Sequence, residues 1–299
     1  MTEPRRIMPL PLGGELGLPY SRGLMARALM AAGVSAYRAY ALASRVADDL
    51  AARGAATVEL DRLEALAFET LGEDEAAAAM LRLRRYQELR ELELPILILI
   101  GGATGTGKST VASELAYRFG ITRVTSTDFV RQTMRAFFSR SFMPSIHYSS
   151  FECGDAFPDA DDPLLFGFLQ QSRNVLVGVS ASMERALEEG WSMVLEGVHL
   201  VPGMLDLPPH GEAVVVSCVL TIDDEAEHER HFFSRDAGSD RPLSRYLERF
   251  ADIRRLQGLL VERAGREGVP VIENEDADRS ASAVSDLVLD AAERMREQV

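Results

Sequence analysis

An unbroken apolar run, Ile96 to Ile100, leads into a glycine-rich segment, and this junction constrains the fold more than any other stretch of the chain. The run is too short to cross a bilayer but fits a β-strand that is buried on both faces. The segment from Gly102 to Ser109 has the spacing Gly-x-x-x-x-Gly-Lys-Ser, and a helical pattern from Thr110 to Phe119 follows it. Strand, loop and helix in this order predict an α/β domain with a phosphate-binding loop.

The residues of this loop are of the types that hold a nucleotide. Glycines let the backbone curl until several N–H groups point at one anion, and the helix adds its positive dipole end. Lys108 can reach the β- and γ-phosphates, and the Ser109 hydroxyl can coordinate Mg²⁺. Lys108 is the only lysine in the chain, and a planar guanidinium would not replace its compact ammonium. We therefore expect ATP and Mg²⁺ as cofactors, with the nucleotide bound by Gly102, Ala103, Thr104, Gly105, Thr106, Gly107, Lys108, Ser109 and Thr110.

Composition excludes several classes of function. The 299 residues are 46% hydrophobic, which suits one large domain or a medium domain with a smaller companion. A net charge of −14 argues against nucleic acid or an anionic membrane as the main partner. No apolar segment of a signal peptide follows Arg5 and Arg6. The two cysteines, Cys153 and Cys218, are too few for a disulfide framework or a metal cluster, so we expect free thiols and a cytoplasmic location.

Residues 1–93 are expected to form a small, mainly helical domain. The first twenty residues are rich in proline and glycine, which predicts a short β-hairpin or an irregular arm. Helical patterns follow over 20–33, 35–53, 57–71 and 73–92. Pro95 marks the entry to the first strand, so we place a domain boundary between residues 93 and 94.

From residue 94 to 299 the chain alternates strands and helices, which predicts a parallel sheet with right-handed crossovers. The predicted strands cover 96–100, 121–126, 191–196, 214–222 and 269–272. The predicted helices cover 110–119, 129–139, 161–190, an interrupted 223–267 and 279–298. Five short strands that each feed a helix are typical of a three-layer P-loop NTPase domain of the nucleotide kinase-like type.

Polar residues follow the carboxyl ends of several predicted strands, where ligands bind in open parallel sheets. Besides the loop itself, they are Asp128, Arg131, Glu196, His199 and Asn274. Phosphoryl transfer needs one carboxylate that holds Mg²⁺ through water and one that accepts the proton of the attacking hydroxyl. Asp128 and Glu196 are the candidates for these tasks, and Asn274 is expected at the nucleotide. Two alternatives stay open: Asp128 as the cap of the following helix, and His199 as a buried structural histidine.

An arginine-rich stretch from Arg230 to Arg255 is interrupted around Gly238, which predicts a mobile flap. A lid that delivers an arginine to the transferred phosphoryl group stabilises charge in the transition state and excludes water. Arg235 and Arg241 flank the interruption, and we expect one of them to be this catalytic arginine. The later arginines are expected to form exposed helical ion pairs, namely Arg245 with Glu248 and Arg249 with Asp252.

These motifs resemble the 2-phosphoglycerate kinase family of archaea and bacteria over residues 94–275. The matching text is the phosphate loop itself, Ser126-Thr-Asp-Phe-Val-Arg131 with Met134-Arg135, Ser149-Ser150-Phe151, Val177-Gly178-Val179, Leu195-Glu-Gly-Val-His-Leu-Val-Pro-Gly203, Arg245-Tyr246, Ile253-Arg254 and Val269-Pro-Val-Ile-Glu-Asn274. The N-terminal unit is similar to an ATP-cone, a small helical nucleotide-binding module. Its matching text is Leu18-Pro-Tyr-Ser-Arg-Gly-Leu24 and Arg84-Arg-Tyr86.

The resemblance implies an ATP-dependent kinase that converts 2-phosphoglycerate to 2,3-bisphosphoglycerate. Asp128 would then orient or deprotonate the acceptor hydroxyl, with a place in the metal shell as its other expected role. Arg131, His199 and Glu196 would bind the acceptor, whose phosphate and carboxylate are both anionic. The ATP-cone likeness implies a second adenine-nucleotide site in residues 1–93.

Two alternatives to this function stay open. The first is a P-loop kinase that acts on another phosphorylated hydroxy acid or small metabolite. The second is a regulatory protein that senses ATP without turnover. A product that forms only when an acceptor is present separates a kinase from a sensor, and a screen of acceptors separates the two kinases.

Overall fold

The computed structural model describes residues 20–236 and 243–297, and within these ranges the chain opens with four helices. They are α1 (Arg22–Ala31), α2 (Ala36–Arg53), α3 (Leu60–Leu71) and α4 (Glu73–Glu91). Each begins and ends within three residues of its predicted position. The predicted hairpin or arm in residues 1–19 lies outside the described residues.

A parallel sheet follows these helices, as predicted. Its strands are β1 (Ile96–Gly102), β2 (Val124–Ser126), β3 (Met193–Glu196), β4 (Val214–Thr221) and β5 (Val271–Glu273). Their order is β2-β3-β1-β4-β5, and every neighbouring pair is parallel. The central position of β1 places the phosphate loop in the middle of the carboxyl edge of the sheet.

Three strands begin two or three residues later than predicted, for local reasons. At β3, the amide of Trp191 bonds back to the carbonyl of Ala186 in the preceding helix, so the strand starts at Met193. The amide of Ile121 bonds back to the carbonyl of Ala116, so this residue belongs to the end of the preceding helix and β2 starts at Val124. At β5, Pro270 has no N–H to give to the ladder, although its carbonyl accepts from Val219. The regular pairing therefore starts one residue after the proline.

Seven helices connect and flank the strands of the described sheet. They are α5 (Lys108–Phe119), α6 (Thr127–Phe137), α7 (Pro163–Glu188), α8 (Glu225–Asp236), α9 (Leu243–Glu248), α10 (Phe250–Glu267) and α11 (Ala277–Arg296). The stretch between α6 and α7, where the sequence predicted neither helix nor strand, contains two short 3₁₀ helices, Pro144–His147 and Ser150–Ala156. None of the helices in the described ranges combines the length and apolar composition that crossing a membrane requires.

The side chains of β1 alternate between the two outer layers. Ile96, Ile98 and Ile100 belong to one hydrophobic cluster with α5 and α11, whereas Leu97 and Leu99 belong to another cluster with α6 and α7. A third cluster packs α10 beneath the phosphate loop. The predicted three-layer arrangement is confirmed, and it explains why β1 is apolar at every position before the glycines.

The N-terminal helices belong to the same hydrophobic cluster as α5 and α11. Tyr86 of α4 packs against Phe119 of α5, with ring centroids 5.7 Å apart. Bidentate hydrogen bonds of 2.8 and 2.9 Å join Arg82 of α4 to Asp286 of α11. The predicted boundary near residue 93 therefore separates helices from sheet but does not separate two hydrophobic cores.

This shared core predicts that the chain unfolds as one unit. Replacing Tyr86 by alanine removes a buried aromatic ring at the contact with α5 and should cost about 3 kcal/mol of unfolding free energy. Urea unfolding can be followed by far-UV circular dichroism and by the fluorescence of Trp191, the only tryptophan. The two unfolding transitions should shift together. Leu81→Ala is the matched control, since Leu81 lies on the same helix and is 62% exposed. Separate transitions for the two signals would show two independent domains.

Candidate active site

The phosphate loop curls so that α5 begins at Lys108, directly beneath it. The first amides of a helix have no partners within the helix, so they point their N–H groups at the loop interior. Gly107 has a φ of +79°, and a Cβ atom there would lie 2.3 Å from Nδ2 of Asn274. A glycine is therefore required at this position by both backbone conformation and space.

Lys108 lies inside the loop, where it is 7% exposed. Its Nζ donates to the carbonyl of Ala103 at 2.5 Å. This contact holds the ammonium at the centre of the curl, at the position where a phosphate would meet the loop amides. The predicted placement of the lysine at the carboxyl end of β1 is thus seen in the structure.

Asn274 is buried after β5 and supports the loop from below. Its Nδ2 donates to the carbonyl of Thr106 at 2.9 Å, and its Oδ1 accepts from the hydroxyl of Ser280 at 2.7 Å. Both ends of the amide are therefore engaged within the protein. Asn274 thus braces the loop, and the nucleotide contact expected from the sequence stays a prediction.

Ser109 and Glu196 bring a hydroxyl and a carboxylate together at the mouth of the loop. The Ser109 hydroxyl donates to Oε1 of Glu196 at 3.1 Å. Glu196 ends β3, which pairs directly with β1, and is 7% exposed. Such hard oxygen donors are those that Mg²⁺ prefers, usually together with phosphate oxygens and water. Among the described residues no group of three or more His, Cys, Asp or Glu side chains forms a site for a metal ion.

Asp128 lies on the first turn of α6, and its side chain is 54% exposed. The cap of this helix is Ser126, whose hydroxyl accepts from the amide of Phe129 at 3.2 Å, so the alternative of Asp128 as a cap is wrong. Partial burial acts to raise the pKa of Asp128, but the hydrogen bond and positive charge of Arg131 and the charge of Lys108 oppose that effect, and the pKa lies below its usual value. The site therefore presents an ionised carboxylate beside the phosphate loop.

Arg131 is buried beneath Asp128 and fixes the following loop. Its Nε donates to Oδ1 of Asp128 at 3.2 Å, and its Nη1 donates to the carbonyls of Ile146 and Tyr148, both at 2.9 Å. Much of the guanidinium expected to bind the acceptor is thus engaged within the protein. Arg131 links Asp128 to the 3₁₀ segment Pro144–His147.

His199 is fully buried, and both of its ring nitrogens are engaged. Nδ1 lies 2.8 Å from the hydroxyl of Thr127, and Nε2 lies 2.9 Å from Oε1 of Gln171. Burial lowers the pKa of His199 to about 4, so the ring is neutral at physiological pH. The geometry therefore supports the role of a buried structural histidine, which the sequence left open. It does not support a direct contact between His199 and the acceptor.

Helix α8 lies against the outer side of the phosphate loop through two histidines that the sequence reasoning missed. Nε2 of His228 donates to the carbonyl of Thr104 at 2.8 Å, and Nδ1 of His231 donates to the carbonyl of Gly105 at 3.0 Å. Phe232 stacks on His228, with ring centroids 5.5 Å apart. The spacing His-x-x-His places both rings on one helical face, which is the sequence signal that could have identified them.

The arginines from the end of α8 onward divide into two groups. The side chain of Arg235 and the whole of Arg241, the predicted lid arginines, lie outside the described residues. Arg245 donates to Glu152 at 2.6 Å and to the Ser149 hydroxyl at 3.1 Å, so its predicted pairing with Glu248 is wrong. The side chain of Arg245 therefore joins α9 to the second 3₁₀ helix and does not pair along its own helix. The predicted pair between Arg249 and Asp252 is present, at 3.4 Å.

A cavity of about 700 Å³ opens beside the start of α5. Its walls are formed by one face of α5 and by the turn that leads into α11. The lining residues are Ser109, Thr110, Ser113, Glu114, Asp276, Ala277 and Asp278. The space adjoins the phosphate loop and has the size of cavities that hold small molecules.

Together, a central strand that feeds a phosphate loop and a carboxylate at the end of the neighbouring strand define a P-loop kinase. Sequence comparison then identifies the family. The chain is 36% identical over 285 residues to 2-phosphoglycerate kinase of Thermococcus kodakarensis, covering 95% of this chain and 96% of the relative. It is 38% identical over 264 residues to 2-phosphoglycerate kinase of Methanothermobacter thermautotrophicus, covering 86% of each. The chain belongs to the 2-phosphoglycerate kinase family.

Other comparisons add little to this assignment. No protein-family model matches the chain. Solved structures of a gluconokinase from Sinorhizobium meliloti and a shikimate kinase from Bacteroides thetaiotaomicron are both 15% identical to it, with TM-scores of 0.36 and 0.37. They cover 69% and 64% of this chain and 95% and 98% of their own, respectively. The strand order and the phosphate loop of this chain define its fold.

The buried His228 predicts a loss of stability in acid. Burial lowers its pKa to about 4, whereas an unfolded histidine titrates near 6.5. Between these values the unfolded chain binds more protons, so this contribution to stability is complete above pH 6.5 and falls as the pH drops toward 4. By pH 5 the loss for this residue should be about 2 kcal/mol.

Urea unfolding at pH 7 and pH 5 measures the effect. His228→Gln keeps an amide donor for the carbonyl of Thr104. In this variant the difference in unfolding free energy between pH 7 and pH 5 should be smaller than in wild type by the amount assigned to His228. If that free-energy difference is the same in the variant and in wild type, the pKa of His228 does not fall on folding.

Proposed function

We propose that this chain transfers the γ-phosphoryl group of ATP to the 3-hydroxyl of 2-phosphoglycerate and releases 2,3-bisphosphoglycerate and ADP. The observation that carries the proposal is the near full-length similarity to proteins named 2-phosphoglycerate kinase, combined with an intact phosphate loop in this chain. The side chains around the loop are of the kinds that such a transfer needs.

The nucleotide phosphates are proposed to lie on the amides of residues 102–110 and on Lys108. The cavity beside α5 offers space for the rest of the nucleotide. Ser109 and Glu196 would hold Mg²⁺, since they place a hydroxyl and a buried carboxylate 3.1 Å apart at the mouth of the loop. Bound there, the ion would neutralise charge that develops on the phosphates. Glu196 would then bind the metal ion, and not the acceptor as the family resemblance implied.

The acceptor is proposed to lie against Asp128. Its ionised carboxylate can orient the attacking hydroxyl and accept its proton as the oxygen–phosphorus bond forms. Nε and Nη1 of Arg131 are occupied, so Nη2 is the part of that guanidinium left by the described hydrogen bonds for the acceptor's phosphate. Arg235 or Arg241 is proposed to add positive charge at the transferred group in a closed state.

The N-terminal helices are proposed to act as a regulatory unit that binds an adenine nucleotide in the cytoplasm. The support is their packing on α5, the helix that carries the phosphate loop. Arg27 of α1 lies over the ring of Tyr117, and the Tyr40 and Tyr117 hydroxyls are 3.5 Å apart. A change in these helices can therefore be transmitted to the loop through α5.

A comparison of acceptors tests the function directly. With ATP and Mg²⁺, 2-phosphoglycerate should be phosphorylated at least tenfold more efficiently in kcat/KM than 3-phosphoglycerate, about 1.4 kcal/mol in the transition state. The reason is that the isomer presents its phosphate and hydroxyl in exchanged positions relative to Asp128 and the arginines. Lys108→Ala is the negative control, because it removes the ammonium group from the phosphate loop. This variant should show no phosphoryl transfer.

Each other outcome of that comparison selects a different function. Parity of the isomers, or faster turnover of glycerate without a phosphate, would point to a P-loop kinase with another acceptor. Tight ATP binding without turnover on any acceptor would point to a nucleotide sensor.

The two carboxylates should respond differently to neutralisation. Asp128→Asn should lower kcat on the order of 10²–10⁴-fold with little change in the KM for ATP, because it removes the proton acceptor. Glu196→Gln should instead raise the Mg²⁺ concentration needed for half-maximal rate, because it weakens the site shared with Ser109. Titrations of ATP and Mg²⁺ for each variant distinguish the roles, and the reverse pattern would exchange them.

A further inference from the structure

Three buried side chains from three separate elements form a continuous hydrogen-bonded row behind the acceptor side of the site. They are Thr127 on the first turn of α6, His199 in the loop after β3 and Gln171 in the middle of α7. Each is 0% exposed. The hydrogen bonds described for the three side chains go to one another and to carbonyls of residues 145 and 148, so the catalytic roles assigned above do not explain why polar groups are kept there.

The hydrogen bonds of this row have one consistent direction. Nε2 of Gln171 donates to the carbonyls of Ser145, at 2.5 Å, and Tyr148, at 3.0 Å, so its Oε1 must face His199 as an acceptor. The proton of the neutral imidazole therefore lies on Nε2, and Nδ1 accepts from the hydroxyl of Thr127. Reversing any one of these groups would leave a buried donor or acceptor without a partner.

A second connection reaches the same segment by another route. Arg131 joins Asp128 to the carbonyls of Ile146 and Tyr148. The carbonyl of Tyr148 thus accepts from both Arg131 and Gln171. Hydrogen bonds therefore connect residues 145–148 to two neighbouring residues of α6. One route reaches Asp128 through Arg131, and the other reaches Thr127 through Gln171 and His199.

The contact between Thr127 and the loop after β3 is close. A Cβ atom at Gly197 would lie 1.9 Å from the hydroxyl oxygen of Thr127, and φ at this glycine is +150°. Only a glycine allows β3 to end this near to α6. The row therefore starts at a point where strand and helix are already in fixed contact, and it carries that fixed position across to α7 and residues 145–148.

We propose that Gln171 and His199 are positioning residues, which hold residues 145–148 as one wall of the acceptor site at a set distance from Asp128. The proposal rests on the function proposed above, because it assigns the wall to the binding of the phosphorylated acceptor. Gln171 lies on α7 and makes its hydrogen bonds to the wall and to His199. Its removal should therefore affect the acceptor and leave the nucleotide side unchanged.

Gln171→Glu is the sharpest variant, because it keeps the side-chain length and an oxygen for His199 but loses the amide that binds the two carbonyls. We expect kcat/KM for 2-phosphoglycerate to fall at least tenfold, while the KM for ATP stays within twofold of wild type. Ser172→Ala is the matched control. Ser172 is the next residue of α7 and equally buried, and within the described part of the chain its hydroxyl has no hydrogen-bond partner. Its kinetics should match wild type within twofold.

A second pair of variants tests the row from its other end. Thr127→Val removes the hydroxyl while keeping the shape of the side chain and should show the same selective loss toward the acceptor. Thr127→Ser keeps the hydroxyl and should restore kcat/KM to within about threefold of wild type. Wild-type acceptor kinetics in Gln171→Glu or Thr127→Val, or no restoration by serine, would overturn the proposal. If Gln171→Glu does not fold, the threonine pair decides alone.

Hydrogen exchange separates this proposal from the proposed function. In Gln171→Glu the amides of residues 145–148 should exchange at least tenfold faster than in wild type, and in Ser172→Ala they should not. If wild type does not phosphorylate 2-phosphoglycerate, the proposed function fails, and the exchange result still decides whether the row holds the wall. Unchanged exchange in Gln171→Glu would overturn the positioning role, whatever the substrate.

Discussion

The burial of β1 on both faces is the constraint on which the rest of the structure depends. A strand in the middle of a parallel sheet must be covered by helices on each side, and the two sets of β1 side chains lie in separate clusters. Because β1 is central, its carboxyl end lies next to the ends of β3 and β4. The Gly-rich loop therefore emerges between neighbouring strands, and Glu196 at the end of β3 reaches Ser109.

The site binds anions in a protein whose net charge is −14. Local donors must therefore outweigh an unfavourable overall field. Lys108 and Arg131 are both buried near the loop mouth, where their charges are less screened than on the surface. Neutral groups hold these cations in place, among them the carbonyls of Ala103, Ile146 and Tyr148. The family function proposed here depends on this concentration of positive charge at one edge of the sheet.

Much of this arrangement could be predicted from the sequence, because the patterns involved are local. The apolar run of β1, the glycine spacing and the alternation of later elements predicted a parallel sheet and the position of Lys108 at the end of β1. The hydrogen-bonded row of Thr127, His199 and Gln171 could not be predicted. His199 is 72 residues from Thr127 and 28 residues from Gln171 in sequence. The same holds for Arg245, whose partner Glu152 lies 93 residues away and not on the next helical turn.

The sequence by itself determined the loop chemistry and the order of the elements, because glycine conformation and hydrophobic period act within a few residues. Only the tertiary structure decided what the polar residues at the strand ends do. Glu196 lies beside Ser109, Asn274 braces the loop and His199 is sealed within the interior. Those roles depend on which side chains from distant elements supply the hydrogen bonds that burial requires, and packing alone determines that.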